Sequence, residues 1–225
     1  MNSTVVYAAP PSLAQVTDVL ARHAPLYRKR APAYQTAMLR DLAAAWSSRH
    51  SRVLDVGGGT GVMAEAIQTL LPADEVVAID VVDRYFDTIS VETRTYDGVS
   101  IPFADASFDA ATINNVMHHV PPDTRSSLMA ELARVVTGPI YIKDHVAVSA
   151  LDHARLWALD AIGNIPFGGQ VDADYLGLSE WEDLASGCGR ILTRCSAGPY
   201  RRAPMSWFFP NRLEAVFRLD APVQD

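Results

Sequence analysis

The stretch Val53-Leu-Asp-Val-Gly-Gly-Gly-Thr-Gly-Val-Met-Ala64 constrains this chain more than any other. Val53 to Val56 read as a short buried strand. Gly57, Gly59 and Gly61 follow at alternate positions, and an apolar, helix-favouring run starts at Val62. Strand, glycine turn and helix in that order make a nucleotide site at the carboxyl edge of a parallel sheet. Glycine admits backbone angles closed to other residues and lets a ligand approach the main chain closely. A dinucleotide fingerprint needs glycine or alanine three residues after its second glycine. From Gly59 that position is Val62, so a nicotinamide dehydrogenase does not fit.

The periodicity around this turn predicts an alternation of strand and helix. Residues 1–11 read as a loose or swapped arm. Ser12 is set to cap a helix running to about His23, and a second helix fits Ala33 to Ser48. The basic, aromatic linker between them carries Tyr27, Arg28 and Arg30 and is either a solvated connector or a lid over the nucleotide edge. Strands are expected at Arg52–Val56, Glu75–Ile79, Glu92–Tyr96, Ala110–Val116 and Pro139–Lys143. Helices are expected at 61–71, 84–89 and from Pro122 to about Val136. Beyond residue 149 the spacing predicts a helix over 150–162 and a loop over 163–169. Next comes a helix over 180–186 capped by Ser179 with Glu182 as its box partner. A terminal hairpin is then expected from 191–197 and 205–209, with 213–219 extending its last strand.

A chain of 225 residues buries one good core, so a single domain is expected. Its parts are an N-terminal helical lid (1–50), a binding core (51–148), a cover segment (149–178) and a last helix with hairpin (179–225). The net charge of -7 argues against a nucleic-acid partner, which wants a basic face. No apolar run approaches the roughly 20 residues that span a bilayer, and no signal-type start is seen. Cys188 and Cys195 lie near no metal-type motif and read as free thiols. The expected location is therefore cytoplasmic and the expected state a monomer or homodimer.

Further motifs sit in order after the turn: Val-Val-Ala-Ile-Asp80, Asp97-Gly98 before Ile-Pro-Phe, Ser107-Phe-Asp109, and Met-His118-His119-Val. With Val-Leu-Asp55-Val-Gly57-Gly-Gly59-Thr-Gly61, the chain resembles the class I S-adenosylmethionine-dependent methyltransferases. Within them it is similar to the small-molecule group that includes the ubiquinone and menaquinone methyltransferases. The resemblance is tightest over residues 53–145. It implies a Rossmann-like, doubly wound α/β fold. The seven-stranded sheet would have order 3-2-1-4-5-7-6, strand 7 antiparallel, with helices on both faces.

It implies roles as well. Gly57, Gly59 and Gly61 would pass under the methionine part of S-adenosyl-L-methionine, with S-adenosyl-L-homocysteine as the product. Asp55 would help hold the ammonium end, Asp80 the ribose hydroxyls, and Asp97 and Gly98 the adenine edge. Val81 would pack on the adenine, and Asn114 or Asn115 would face the methionine or sulfonium region. The implied partner is a small-molecule methyl acceptor with an oxygen, nitrogen or carbon nucleophile, possible in quinone-type or specialised metabolism. The alternative is a non-catalytic binding or scaffolding relative, which would tend to lose the glycines or the ribose acid; both are intact here. The Asn-Pro-Pro-aromatic motif of base-amino methylases is absent after strand 4, where Asn114-Asn115-Val-Met stands.

Methyl transfer is an in-line displacement with an activated leaving group, so alignment supplies most of the rate and a base is needed only for an acceptor that loses its proton early. The candidates for such a base are His145 and His119, both just past strand tips, with His118 beside them. A metal set from His118, His119, Asp144 and His145 follows no known ligand spacing, so no metal is expected. In this fold the segment after strand 5 and the N-terminal helices cover the acceptor. The expected acceptor pocket therefore includes Tyr27, Tyr34, His119, His145, Trp157, Asp160 and Asn164. Asp160 and Asn164 are one helical turn apart on one face.

Overall fold

Seven strands form one sheet in the computed structural model, which describes residues 8–164, 173–195 and 197–222. The strands are β1 (His50–Val56), β2 (Ala73–Asp80), β3 (Glu92–Thr95), β4 (Ala110–Asn114), β5 (Ile140–His145), β6 (Ile191–Cys195) and β7 (Glu214–Asp220). Their order is β3-β2-β1-β4-β5-β7-β6, as the resemblance implies. The pairings from β3 to β5 are parallel, and β7 runs antiparallel to both β5 and β6.

Successive side chains of a strand point to opposite faces, and the two cores show it. Val53, Val76, Ala78, Ala110, Tyr141 and Val216 face one way. There they meet α1 (Leu13–His23), α3 (Ala33–Ala45) and α4 (Val62–Leu70). Leu54, Val77, Ile113, Ile142 and Phe217 face the other, against α5 (Pro122–Val135) and α7 (Leu178–Gly187). A helix α6 (Ala150–Asn164) follows β5. The one-turn helices α2 (Leu26–Lys29) and α8 (Met205–Phe208) complete the set among the described residues.

The N-terminal helices are part of the first layer. Ser12 accepts from the Gln15 amide, and Gln15 answers through its side chain, closing the start of α1. Val16, Val19 and Leu20 are buried. At the end of α3, Trp46 stacks on Tyr141 at 4.5 Å, and the Tyr141 hydroxyl lies 2.9 Å from the Ser47 amide and from His50 Nε2. Residues 1–7 of the expected arm lie outside the described residues, while Ala8 is buried.

Four local expectations fail. Residues 84–89 form no helix: the Phe86 amide donates to the Thr60 carbonyl and the Tyr85 hydroxyl to the Arg94 carbonyl, so bonds to other segments replace helical ones. The helix over 33–48 stops at Ala45, because Trp46 turns extended to enter the Tyr141 stack. Ser179 is inside α7 and caps nothing. Gly177 is the cap, and its amide donates to Glu180 Oε2 at 2.7 Å. Met205–Phe209 is not a strand. It sits between Pro204 and Pro210 as α8, with Trp207 and Phe208 exposed, and β7 is the hairpin partner of β6. Of the expected loop 163–169, residues 163 and 164 close α6, and 165–169 lie outside the described residues. Cys188 and Cys195 are free thiols. Among the described residues no helix is long and apolar enough to cross a membrane.

Tyr141→Phe should strip the buried His50 and Ser47 of their common partner and cost about 1–3 kcal/mol, read as a lower midpoint in denaturant unfolding.

Candidate active site

The glycine turn is fastened to the end of β2. The amides of Gly57 and Gly58 both donate to the Ile79 carbonyl, at 2.8 and 3.0 Å, and the Gly59 amide donates to Asp80 Oδ2 at 2.8 Å. Gly57, Gly59 and Gly61 all have positive φ, at 74°, 57° and 81°, which explains glycine at alternate positions. A Cβ on Gly57 would overlap Val116 Cγ2, whereas one on Gly59 would meet nothing within 4 Å. The turn is thus closed behind and open in front.

In front lies a cavity of about 230 Å³ lined by Tyr34, Gln35, Met38, Asp55, Gly57–Thr60, Met63, Asn114 and Asn115. Asp55, 2% exposed, accepts from Thr112 Oγ1 at 2.6 Å and from Asn114 Nδ2 at 3.2 Å. Burial pushes its carboxyl up to about 6, against the pull of those two bonds. Asn114 Oδ1 is buried in the same wall with no hydrogen-bond partner among the described residues. An anion held in a dry wall, an unsatisfied acceptor and a turn open to main-chain approach fit a ligand carrying a positive donor. The ammonium end of S-adenosylmethionine is such a group.

The other expected cofactor residues line the neighbouring strand tips, outside this cavity. Asp80 is 3% exposed. Its oxygens accept from the Gly59 and Val82 amides, with Arg84 Nη2 3.6 Å away. Val81 is exposed, and its Cγ1 would lie 3.2 Å from a Cβ on Gly98, whose φ is +79°. Asp97 Oδ1 accepts from the amides of Val99 and Ser100, both at 2.8 Å, and those bonds hold its carboxyl below the usual range. Asp109, of the Ser-Phe-Asp motif, accepts from the amides of Ser51 and Arg52 and so braces the start of β1.

The expected acceptor residues do not share one cavity. Tyr34 lines the cavity just described, and Tyr27 touches its rim through Gln35, whose Nε2 donates to the Tyr27 hydroxyl at 3.3 Å. Trp157 is exposed on α6. The side chain of Asn164 lies outside the described residues. His119 and Asp160 meet elsewhere, 3.6 Å apart, beside His118.

Between the two groups lies a buried ion network that the sequence reading missed. Lys143 Nζ, with its side chain fully buried, donates to Tyr34 Oη (2.6 Å), Asn115 Oδ1 (2.8 Å) and Glu214 Oε2 (2.5 Å). Glu214 also meets Arg201 at 2.5 Å and His145 Nε2 at 3.3 Å. Burial opposes both charges, but Tyr34 and Glu214 keep the Lys143 pKa raised, and Lys143 holds the Glu214 carboxyl far down. His145 sits between this pair and Asp144, whose Oδ1 is 3.5 Å away, and does not line the cavity. The visible signal was a lone lysine in the apolar run Ile140-Tyr-Ile-Lys143.

On the opposite side of β5, Asp144 accepts from the Met117 and His145 amides and lies 2.5 Å from His118 Nδ1. Burial alone would lower the His118 pKa. The carboxylates of Asp144 and Asp160 outweigh it and raise the value to about 9. Although no metal was expected, His118, His119 and Asp160 bring one ligand atom each within 4.8 Å of one another, as do His118, Asp144 and His145. Tyr175 stacks on His118 at 5.0 Å. A larger cavity, about 580 Å³, lies along β6 among Arg194, Cys195, Ala197, Asn211, Arg212 and Glu214, and contains none of the glycine-turn residues.

Lys143→Met leaves Glu214 buried without its main counter-charge, and should cost about 3–5 kcal/mol of unfolding free energy by denaturant titration.

Residues 53–138 match the family described as "Methyltransferase domain". A curated relative, demethylmenaquinone methyltransferase of Deinococcus radiodurans, is 34% identical over 109 residues; the match covers 44% of this chain and 44% of that protein. The chain thus spans less than half the length of this relative. Among solved structures, the YcgJ protein from Bacillus subtilis superposes with a TM-score of 0.62 at 18% identity, covering 84% of this chain and 98% of that one. The PH0226 protein from Pyrococcus horikoshii does so with 0.62 at 16%, covering 90% and 98%. DhpI, solved in complex with SAH, does so with 0.59 at 15%, covering 94% and 97%. Residues 53–138 thus carry a methyltransferase domain, set in the seven-stranded fold that these solved structures share.

Proposed function

We propose that this protein transfers a methyl group from S-adenosylmethionine to a small-molecule acceptor, leaving S-adenosylhomocysteine. The observation that carries the reading is the cavity over Gly57–Thr60, where Asp55 and the unpartnered Asn114 Oδ1 face a turn open to main-chain approach. The cofactor supplies an activated methyl group on a sulfonium; the chain's residues bind, orient and exclude water. Asp55 pairs with the ammonium. Asp80, already held by the Gly59 and Val82 amides, offers its remaining lone pairs to the ribose hydroxyls. Val81, Asp97 and Gly98 form the adenine edge, and Asn114 and Asn115 close the methionine side.

Tyr34, fixed by Lys143 and Asn115, bounds the cavity where an acceptor would meet the methyl group. Alignment of that kind is the main source of rate in such a displacement. In this reading His145 is a positioning residue for the β5 tip, because it is enclosed between Asp144 and Glu214. Tyr27, bonded to Gln35 at the cavity rim, belongs to the acceptor side, whereas His119 and Asp160 lie apart from it across the Lys143–Glu214 pair. The partial likeness to a demethylmenaquinone methyltransferase makes hydroxylated ring compounds the first acceptors to try. The net charge of -7 favours a small molecule over nucleic acid.

Calorimetry with S-adenosylmethionine should give one site per chain, and an absence of binding would overturn the proposal. Asp55 titrates near 6, so it is charged at pH 7.5 and largely neutral at pH 5. Affinity should therefore fall as the pH is lowered through about 6. Asp55→Asn should bind at least tenfold more weakly at pH 7.5 and lose that pH dependence. Methyl transfer from labelled cofactor across a panel of quinols, phenols and amines then identifies the acceptor. Transfer to none of them, with cofactor binding intact, would favour a non-catalytic binding protein.

A further inference from the structure

His118 and His119 share the one-turn segment after β4, and Asp160 projects from α6 onto them. His118 Nε2 lies 3.9 Å from Asp160 Oδ1, His119 Nε2 lies 3.6 Å from Asp160 Oδ2, and the two rings are 4.2 Å apart. Two further observations distinguish this group from an ordinary buried histidine pair.

First, His118 Nδ1 is engaged by Asp144 at 2.5 Å, and Asp144 is itself held by the Met117 and His145 amides. A carboxylate behind a histidine in this way fixes its tautomer and ring orientation and turns the Nε2 lone pair outward, as behind metal-bound histidines. Second, His118 is 2% exposed, and its Nε2 is buried with no hydrogen-bond partner among the described residues. The 3.9 Å to Asp160 is too long for a hydrogen bond. A neutral His118 would aim a lone pair at a carboxylate. A protonated one would point its N–H at the Asp160 carboxylate from beyond hydrogen-bond length. A cation between the two satisfies both.

The separations agree. Ligand atoms at roughly 2.0–2.1 Å from a tetrahedral ion stand roughly 3.3–3.4 Å apart, so the observed 3.6 and 3.9 Å need only small side-chain rotations. The second cluster, His118 with Asp144 and His145, is less apt because both Asp144 oxygens already accept backbone amides.

We propose that His118, His119 and Asp160 bind one divalent first-row transition ion, of the zinc or cobalt type, with Asp144 as the outer carboxylate behind His118. Two imidazoles and one carboxylate suit such an ion, and three protein ligands leave a position for water or an oxygen-bearing small molecule. The site stands apart from the cofactor cavity, across the Lys143–Glu214 pair, so its test does not depend on methyl transfer.

The full-length protein is stripped with chelator and titrated with Co2+, followed by visible d–d absorption, and then with Zn2+ by calorimetry. The expected result is one equivalent of each, with Zn2+ displacing Co2+. His119→Ala and Asp160→Asn should each weaken binding at least tenfold, while His153→Ala, also near Tyr175, should leave it unchanged. S-adenosylmethionine binding and the circular-dichroism spectrum verify that each variant is folded. Should His119→Ala not fold, Asp160→Asn decides. No binding to the stripped protein, or binding that is indifferent to the folded variants, overturns the proposal.

Discussion

Lys143 is the constraint around which the strand tips are arranged. An ammonium group with no solvent exposure is tolerable only with a counter-charge and full hydrogen bonding. Its three partners come from three places: Glu214 from β7, Asn115 from the turn after β4, and Tyr34 from α3. That requirement ties the antiparallel strand β7 to β5 at its start, where His145 pairs with Glu214. It also brings the N-terminal layer down onto the sheet edge that carries the glycine turn. Asn115 accepts this role in a left-handed backbone, with φ of 56°, which its short polar side chain tolerates.

Side-chain alternation along β5 explains why the strand end serves two environments. Lys143 points to the layer of α1, α3 and α4, and Asp144 to the opposite face, towards His118. One strand tip thus supports the glycine-turn cavity on one side and the histidine cluster on the other. The same alternation puts Asp55 and Thr112 side by side on the first face, where burial makes the carboxylate hungry for a positive partner. On the proposed function a ligand's cation would offset the cost of that buried acid, a coupling of binding to burial that surface acids lack.

The fold was legible because its signals are local. Strand, glycine turn and helix read directly from Val53 to Ala64, and the alternation of apolar segments gave the parallel half of the sheet. What was not legible depended on long-range partners. Trp46 leaves α3 for a stack with Tyr141, which no local window contains. The segment 84–89 bonds to the glycine turn and β3 in place of a helical ladder. The hydrophobic residues of Met205–Phe209 looked strand-like although they face outward between two prolines. Asp55 and Asp80 stand near the strand ends where the local pattern puts them. Lys143 and Glu214 are meaningful only as a pair joined across two strands, and Asp160 only through the fold that brings α6 back over the β4 tip.

The central claim is that the turn from Gly57 to Gly61, with the tips of β2 and β4, receives the methyl donor. Amide chemical shifts of the 15N-labelled protein on addition of S-adenosylhomocysteine test it most directly. The account predicts that the largest changes fall on residues 57–61, 80–82, 97–99 and 114–115. Changes centred instead on the cavity along β6, or no changes at saturating ligand, would contradict it.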